Sequence, residues 1–278
     1  MFDDGHFGAD SVSWRVHREV TVLFGGARAV LLHAAHPLVI AGANQTAMYE
    51  RDPWRRLQRT LVLQYALTFG TRAEALSAAE RINAIHERIN GVDHVTGRRY
   101  DALDSDLLLW VHACLVDSAL LFERLTVGAL GFADRQRFHE EQMLAAEMLR
   151  LPREAIPPTV AELEAYVERT AATDLLVTDA ARSVAGLFLE PPRDAQWRPV
   201  LRLVARLAFA TLPDRVREAY GVGQGSVRAV STRGAFAAIR RLRPLLPPAI
   251  RYIAPYRRWH GARPERLDEL RRSLGIRR

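Results

Sequence analysis

Apolar residues recur at spacings of three and four along almost the whole chain, and this periodicity limits the possible folds more than any other feature. Such spacing places apolar side chains on one face of an α-helix, whereas a half-buried strand needs strict alternation. Alternating runs are scarce, and the pattern is compatible with a complete absence of strands. The chain has 278 residues, of which 49% are hydrophobic, and it can therefore bury a full core. We expect an all-α fold, formed as a single large multi-helix domain.

Proline, glycine and capping residues divide this pattern into predicted helices. The predicted segments are 12–24, 27–37, 53–69, 71–90, 107–122, 134–150, 160–188 and 194–211. Pro37 should end or kink the second segment at His36, because proline has no backbone donor and crowds the preceding turn. Residues 71–74 form a capping-box pattern that opens the fourth segment, and Asn90-Gly91 is typical of a helix end. The fifth segment is apolar on nearly every face, which predicts a central helix.

Positive charge is concentrated at the C-terminal end. All 39 basic residues are arginines, and residues 233–278 contain 13 of them with three acidic residues, whereas residues 1–232 carry a net charge of −3. We therefore predict one domain over residues 1–232 and an Arg- and Pro-rich basic tail over 233–278. The body has no zinc-finger, RNP or basic-heptad signature, so we expect no nucleic-acid partner. The tail fits peripheral contact with an anionic membrane surface, and a merely solvated basic end is the alternative.

The cysteine content and the N-terminal residues indicate the cellular compartment of the protein. A lone cysteine, Cys114, rules out an intrachain disulfide, and the chain has no CxxCH motif for covalent haem attachment. The first ten residues are acidic and lack the basic start and apolar stretch of a signal peptide. No window has 18 uninterrupted apolar residues, since the nearest, residues 29–43, is broken by two histidines and a proline. We expect a cytoplasmic protein, with the tail as a route to membrane association.

His86 is the candidate functional residue with the clearest placement. Ala75, Ala79, Ile82 and Ile89 share its helical stripe, so its imidazole should point inward. A neutral imidazole on an apolar face can ligate a haem iron, because the ring offers a lone pair and the walls keep water away. A buried histidine bonded to a backbone carbonyl gives the same pattern, and periodicity alone favours that interpretation.

For four other histidines, a role as a metal or haem ligand must likewise be weighed against a purely structural one. His33 and His36 stand three residues apart and could share a helix face as a metal pair, although no third ligand is identifiable nearby. His112 lies in the central segment, either as a second haem neighbour or as a hydrogen-bonded core residue. His94 belongs to a polar segment and should be exposed.

Other kinds of catalytic site leave signatures that can be checked directly. A helical di-iron centre needs Glu-x-x-His, and none of the nine histidines has a glutamate three positions before it. The chain also has neither the G-x-S-x-G of hydrolases nor the G-x-x-x-x-G-K-[ST] of nucleotide sites. Arg56 and Thr60 stand four residues apart on one predicted helix. An inward arginine there could bind a carboxylate or an oxyanion, and a surface salt bridge is the alternative.

Four sequence blocks, taken in order, point to a known family. They are GGARAVLLHAAHPLVIAGANQT, YERDPWRRLQRT, INAIHERINGVDHVTGRRYDALDSDLLLWVHACLVDS and FHEEQMLAAEMLRLP. Their order and spacing resemble the DUF2236 family, which includes the MpaB-type oxygenases and the catalytic domain of latex-clearing rubber oxygenases. The resemblance covers residues 12–225.

The resemblance implies an all-α fold that encloses a b-type haem. The iron ligand would come from an H-x-x-x-x-G motif, which here begins at His86. Arg56 and Thr60 match an Arg and Thr pair that lies beside the haem pocket of the rubber oxygenases. The resemblance also marks His36 and His112 as signature positions, which we include among the expected haem-binding residues.

This chain departs from the rubber oxygenases at two positions. Asn90 stands where they have an arginine, four residues after the axial histidine. Their base carboxylate has no clear counterpart, and Gln45 is the residue closest to its expected place.

We therefore expect a haem-dependent oxygenase that acts with O₂ on a hydrophobic, unsaturated substrate of isoprenoid or lipid type. Haem b is the expected cofactor, with His86 on the iron and Arg56 and Thr60 as the catalytic pair. The alternatives are a haem-binding sensor or carrier without turnover, and a structural all-α protein whose histidines are core residues.

Overall fold

The computed structural model describes residues 5–45, 53–190, 198–223, 229–254 and 256–257, without the side chains of residues 53–59 and 229–231. Helices dominate these residues, which confirms the all-α prediction. In chain order the elements are α1 Val12–His17, α2 Val20–Leu23, α3 Gly25–Ala35, α4 Pro37–Gln45, α5 Pro53–Phe69, α6 Arg72–His86, β1 Asn90–Val92, β2 Arg99–Asp101, α7 Ser105–Thr126, α8 Phe132–Met148, α9 Val160–Thr173, α10 Asp179–Leu189, α11 Arg198–Ala210, α12 Asp214–Ala219, α13 Ala229–Leu242 and α14 Pro248–Arg251, with single 3₁₀ turns at Arg153–Ala155 and Arg243–Leu245.

Helix α7 is the central element, as its apolar sequence predicts. It packs against α2, α3, α9 and α13, and its large side chains Trp110 and Phe122 are fully buried. The Trp110 indole nitrogen donates a hydrogen bond to the Leu32 carbonyl oxygen at 3.3 Å, which ties α7 to α3. Within the described ranges α7 is also the one unbent helix long and apolar enough to cross a membrane. More than half of that helix is buried inside the protein, so its role in the core accounts for its composition.

The chain turns sharply at His36, as the sequence predicts. His36 is in an extended conformation, and α4 leaves the direction of α2 and α3 at 99°. Pro37 begins α4, where its missing backbone donor costs nothing. The bend places α3 and α4 on two sides of the same interior space.

Helix α6 begins as predicted and ends earlier than predicted. The Thr71 side chain and the Glu74 carboxylate cap each other's backbone N–H groups in a full capping box. The helix then stops at His86, and the prediction that it continues to residues 90–91 is wrong.

The segment after His86 forms a two-stranded antiparallel hairpin, in which Asn90 pairs with Asp101. The Asp93 carboxylate accepts hydrogen bonds from the backbone of Val95 and Thr96, which closes the turn between the strands. Gly97 has a φ of 71°, which a residue with a side chain rarely adopts. This locally closed turn competes with continuation of the helix, and it corrects the expectation that the chain lacks strands.

Two other predicted helices are interrupted. Segment 12–24 breaks at Glu19, which is extended, because its carboxylate turns inward to bind two arginines from the C-terminal part of the chain. Segment 160–188 breaks between α9 and α10. There the Leu176 backbone N–H donates to the Ala35 carbonyl oxygen at 2.8 Å, and Thr178 caps the new helix α10.

The described part of the basic C-terminal segment packs on the body. Phe236 of α13 meets Phe122 edge to face, with ring centroids 5.7 Å apart. Further along, Ile253 and Tyr256 enter a cluster with Trp14 and Phe69. The residues from 258 onward lie outside the described part, so the predicted tail stays a prediction for them.

Candidate functional site

His86 is the last residue of α6 and lies in a wall between two cavities. Both cavities are lined by His86 together with Leu108, Val111 and Leu115 of α7. The helix stripe that ends at His86 begins with the fully buried Ala75 and Ala79, so α6 is anchored in the core along this face. The sequence-based placement of an inward-facing imidazole is therefore what the structure shows.

The larger cavity has a volume of about 360 Å³, within the range of about 300–1,000 Å³ that is usual for small-molecule sites. It lies between α3, α4, α7 and α10, and most of its lining is aliphatic. The polar side chains that reach it are His33, Thr60, His86 and Tyr100. An apolar molecule fits this lining better than a charged one.

The smaller cavity has a volume of about 170 Å³ and lies on the side of α5, α7 and α8. Its polar lining residues are His17, Gln64, Tyr65, His86, His112 and Gln142, set among aliphatic and aromatic side chains. Neither cavity has an aspartate or glutamate in its described lining. The two spaces are thus neutral chambers that share the imidazole of His86.

Burial keeps the imidazoles of this region neutral. Desolvation lowers the pKa of His86 below its usual value, and it lowers the pKa of His112 to about 3. His86 Nδ1 and His112 Nε2 are both buried and have no hydrogen-bond partner among the described residues. Both residues line the smaller cavity, so a ligand or water held there can complete the bonding of these nitrogens.

His33 and His36 each use one ring nitrogen in a hydrogen bond to the backbone. His33 lines the larger cavity, but its Nε2 donates to the Val111 carbonyl oxygen at 3.1 Å. His36 is buried beside Trp110, and its Nδ1 accepts a hydrogen bond from the Val39 backbone N–H at 3.4 Å. His36 is absent from the described lining of both cavities.

The other predicted site residues differ in where they lie relative to the cavities and in how far the structure describes them. Thr60 lines the larger cavity, whereas the side chain of Arg56 lies outside the described residues. Asn90 is exposed on strand β1 and is absent from the described lining of both cavities. Gln45 accepts a hydrogen bond from the Tyr100 hydroxyl at 3.4 Å, which places it at the edge of the larger cavity.

Tyr100 is a site residue that sequence reasoning missed. Its ring lies so close to Gly91 that a Cβ there would come within 2.8 Å of the hydroxyl oxygen, and it also lies against Gly42. Glycine at both positions lets the ring reach the cavity wall. The signal for it, two glycines facing one aromatic residue, depends on the hairpin that the sequence pattern did not predict.

The donor groups suit a cofactor that needs few protein ligands. No group of three or more His, Cys, Asp or Glu side chains that could hold a metal ion occurs among the residues described. His86 is a neutral imidazole with an unpaired ring nitrogen between apolar walls, so it could hold a metal-bearing cofactor through that nitrogen. His112 offers a second nitrogen on the smaller cavity.

Comparison with known proteins identifies the family of this chain. The sequence model described as ER-bound oxygenase mpaB/B'/Rubber oxygenase, catalytic domain, matches residues 14–241. Neither a curated protein nor a solved structure matches the chain with significance. The matched range contains all the residues that line the two cavities, and it makes up well over half of the chain. The chain therefore belongs to the family of the ER-bound oxygenase mpaB/B' and the rubber oxygenase catalytic domain.

Proposed function

We propose that this protein is a haem-dependent oxygenase in which His86 would hold the iron of a non-covalently bound haem b, and that it oxidises a hydrophobic, unsaturated substrate with O₂. Membership of an oxygenase family supports an oxygenase-like function. The observation that carries the proposal is the unpaired, buried ring nitrogen of His86 at the wall between two apolar cavities. Bound haem supplies the activation of dioxygen, which no protein side chain provides.

The chain's own residues would bind and orient the cofactor. Burial holds His86 neutral, so its lone pair is available without loss of a proton. The leucine and valine side chains of α7 line both cavities beside His86 and would limit the access of water to the ring. Arg56 lies one helical turn before Thr60, and it would hold a propionate of the bound haem.

The substrate would lie against the aliphatic lining of the larger cavity, beside the haem that His86 would hold. This lining suits a segment of an isoprenoid or lipid chain that carries a C=C bond. The Thr60 hydroxyl is a hydrogen-bond donor at this cavity, and it can orient an oxygen atom of the oxidised substrate, whereas the Tyr100 hydroxyl donates to Gln45. An unsaturated hydrocarbon needs no further polar recognition.

A second candidate function is haem binding without turnover, as in a sensor or carrier. The observation that favours it is the lack of a carboxylate in the described lining of both cavities, so no general base is evident there. The same observation fits an oxygenase whose substrate needs no proton removed by the protein.

The first test is optical. Purified protein reconstituted with haem should show an intense Soret band, and His86→Ala should weaken or shift it because the iron loses its protein ligand. His94→Ala is the matched control, since His94 is exposed on the hairpin and should leave the spectrum unchanged. Wild-type protein that takes up no haem would disprove the proposal.

The second test separates turnover from binding. The reconstituted, reduced protein is mixed with unsaturated lipids or terpenoids while oxygen consumption and oxidised products are measured. Consumption with product formation supports the oxygenase, and Thr60→Ala should then change the rate with little change in the Soret band. A stable oxygen complex without product would establish the binding protein instead.

A further inference from the structure

The C-terminal segment carries an exposed apolar surface that the cavities do not explain. We call it the C-terminal patch and define it by Leu242, Leu245, Leu246 and Ile250, whose exposed fractions are 56%, 77%, 39% and 60%. The proline and alanine residues between them are exposed as well. Single exposed leucines are ordinary on protein surfaces, whereas a run of four within nine positions marks an interaction site.

The patch is held in place by the body. The Glu19 carboxylate, which is 2% exposed, accepts hydrogen bonds from Arg243 at 2.8 Å and from Arg251 at 3.0 Å. These arginines flank Leu245, Leu246 and Ile250 in the sequence. The Glu19 backbone also pairs with Tyr252. Because both ends of the patch are fixed, the leucines cannot fold back into the core, and their exposure belongs to the native fold.

The exposed charges of the segment that carries the patch are all positive. Arg233, Arg240, Arg241 and Arg257 are exposed in the same segment, and between Glu218 and Glu265 the chain has neither Asp nor Glu. Arginine stays charged at every physiological pH. A partner that covers the leucines must therefore be apolar at its centre and anionic at its rim.

We propose that the C-terminal patch docks the protein on an anionic lipid membrane surface. Aliphatic side chains can enter the boundary between headgroups and acyl chains while the arginines bind the headgroup phosphates. A second copy of the chain fits the patch poorly, because a two-fold contact would bring both sets of arginines together. Nucleic acid fits poorly as well, since exposed leucine and isoleucine side chains offer its bases no stacking surface.

The patch and the larger cavity lie towards different ends of α7. Helix α13, which leads into the patch, packs against the Phe122 half of α7, whereas Leu107 to Leu115 of the same helix line the larger cavity. The proposed docking surface is therefore separate from the larger cavity. This inference does not depend on haem, so it can be tested on the protein without cofactor.

The test is cosedimentation of the full chain with vesicles. Binding is expected to vesicles of phosphatidylcholine with phosphatidylglycerol and to be much weaker with phosphatidylcholine alone. Leu245→Ser combined with Ile250→Ser should weaken partition at least about tenfold, because burial of one such side chain is worth about that factor. Arg240→Gln combined with Arg241→Gln should weaken it about thirtyfold, at roughly fivefold for each arginine near the surface.

Matched controls come from the hairpin and α6. Leu76→Ser combined with Val95→Ser removes two similarly exposed apolar side chains, and Arg98→Gln combined with Arg99→Gln removes two exposed arginines. Both controls should bind vesicles as the wild type does, and equal melting temperatures would show that all variants are folded. Equal binding to both vesicle types, or equal loss in patch and control variants, would overturn the proposal. So would a self-associating chain that the patch variants render monomeric.

Discussion

The adjacent glycines that begin α3 should respond in opposite ways to the same substitution. A Cβ on Gly25 would lie 2.7 Å from the Ser118 carbonyl oxygen and 3.2 Å from the Phe122 ring, so α3 and α7 must separate to admit it. A Cβ on Gly26 would meet nothing within 4 Å. The close approach of the two helices thus requires glycine at one position of the pair and not at the other.

The magnitudes follow from this geometry. Gly25→Ala should lower the free energy of unfolding by about 1–3 kcal/mol, the usual cost of an overpacked core. Gly26→Ala should leave it unchanged or raise it by up to about 1 kcal/mol, because alanine restricts the unfolded chain. For a domain of this size, each kcal/mol moves the melting temperature by about 2–4 °C. Thermal and urea denaturation of the two variants beside wild type measure the difference. If both variants shift stability equally, or if Gly26→Ala is the more damaging, the described packing of α3 on α7 is wrong.

Two further predictions concern buried charge and pH. Glu19→Ala should lower the free energy of unfolding by about 3–5 kcal/mol, because it leaves Arg243 without its buried partner. Asp134→Ala removes a half-exposed ion pair and should cost less than about 1 kcal/mol. Urea denaturation measures both, and similar losses for the two variants would contradict this prediction. Burial lowers the pKa of His33 from 6.5 to about 4, so the unfolded chain binds the extra proton between those values and stability falls as the pH drops from 6.5 towards 4. His33→Gln should flatten this dependence by up to about 1.4 kcal/mol per pH unit, and parallel profiles for the variant and wild type would refute it.

Local chemistry made part of the fold predictable from sequence. The turn at His36 depends on one proline, and the start of α6 depends on Thr71 and Glu74, which act within four residues of each other. The central position of α7 follows from its apolar composition alone. In each case the decisive groups are neighbours along the chain.

The breaks that were missed depend on distant partners. Glu19 interrupts the first predicted helix because arginines more than two hundred residues away bind its carboxylate. The gap between α9 and α10 is held by a hydrogen bond from Leu176 to Ala35. No periodicity within either segment reports such contacts.

The candidate site likewise has features that depend on sequence neighbours and features that depend on distant partners. The stripe on α6 predicted that His86 faces inward, and the structure places it at the cavity wall. The existence of two cavities, the unpaired nitrogen of His112 and the approach of Tyr100 arise where several helices and the hairpin meet. These features need the tertiary arrangement and have no signal in any single segment.

The central claim, that His86 is the axial ligand of a haem iron, is tested most directly by chemical rescue. His86→Gly protein is reconstituted with haem, and the Soret band is recorded with and without added imidazole, beside wild type. The account predicts a weak or shifted band for the variant alone and recovery of the wild-type band with imidazole, because the free ring replaces the missing side chain. A variant that binds haem with the wild-type spectrum in the absence of imidazole would contradict it.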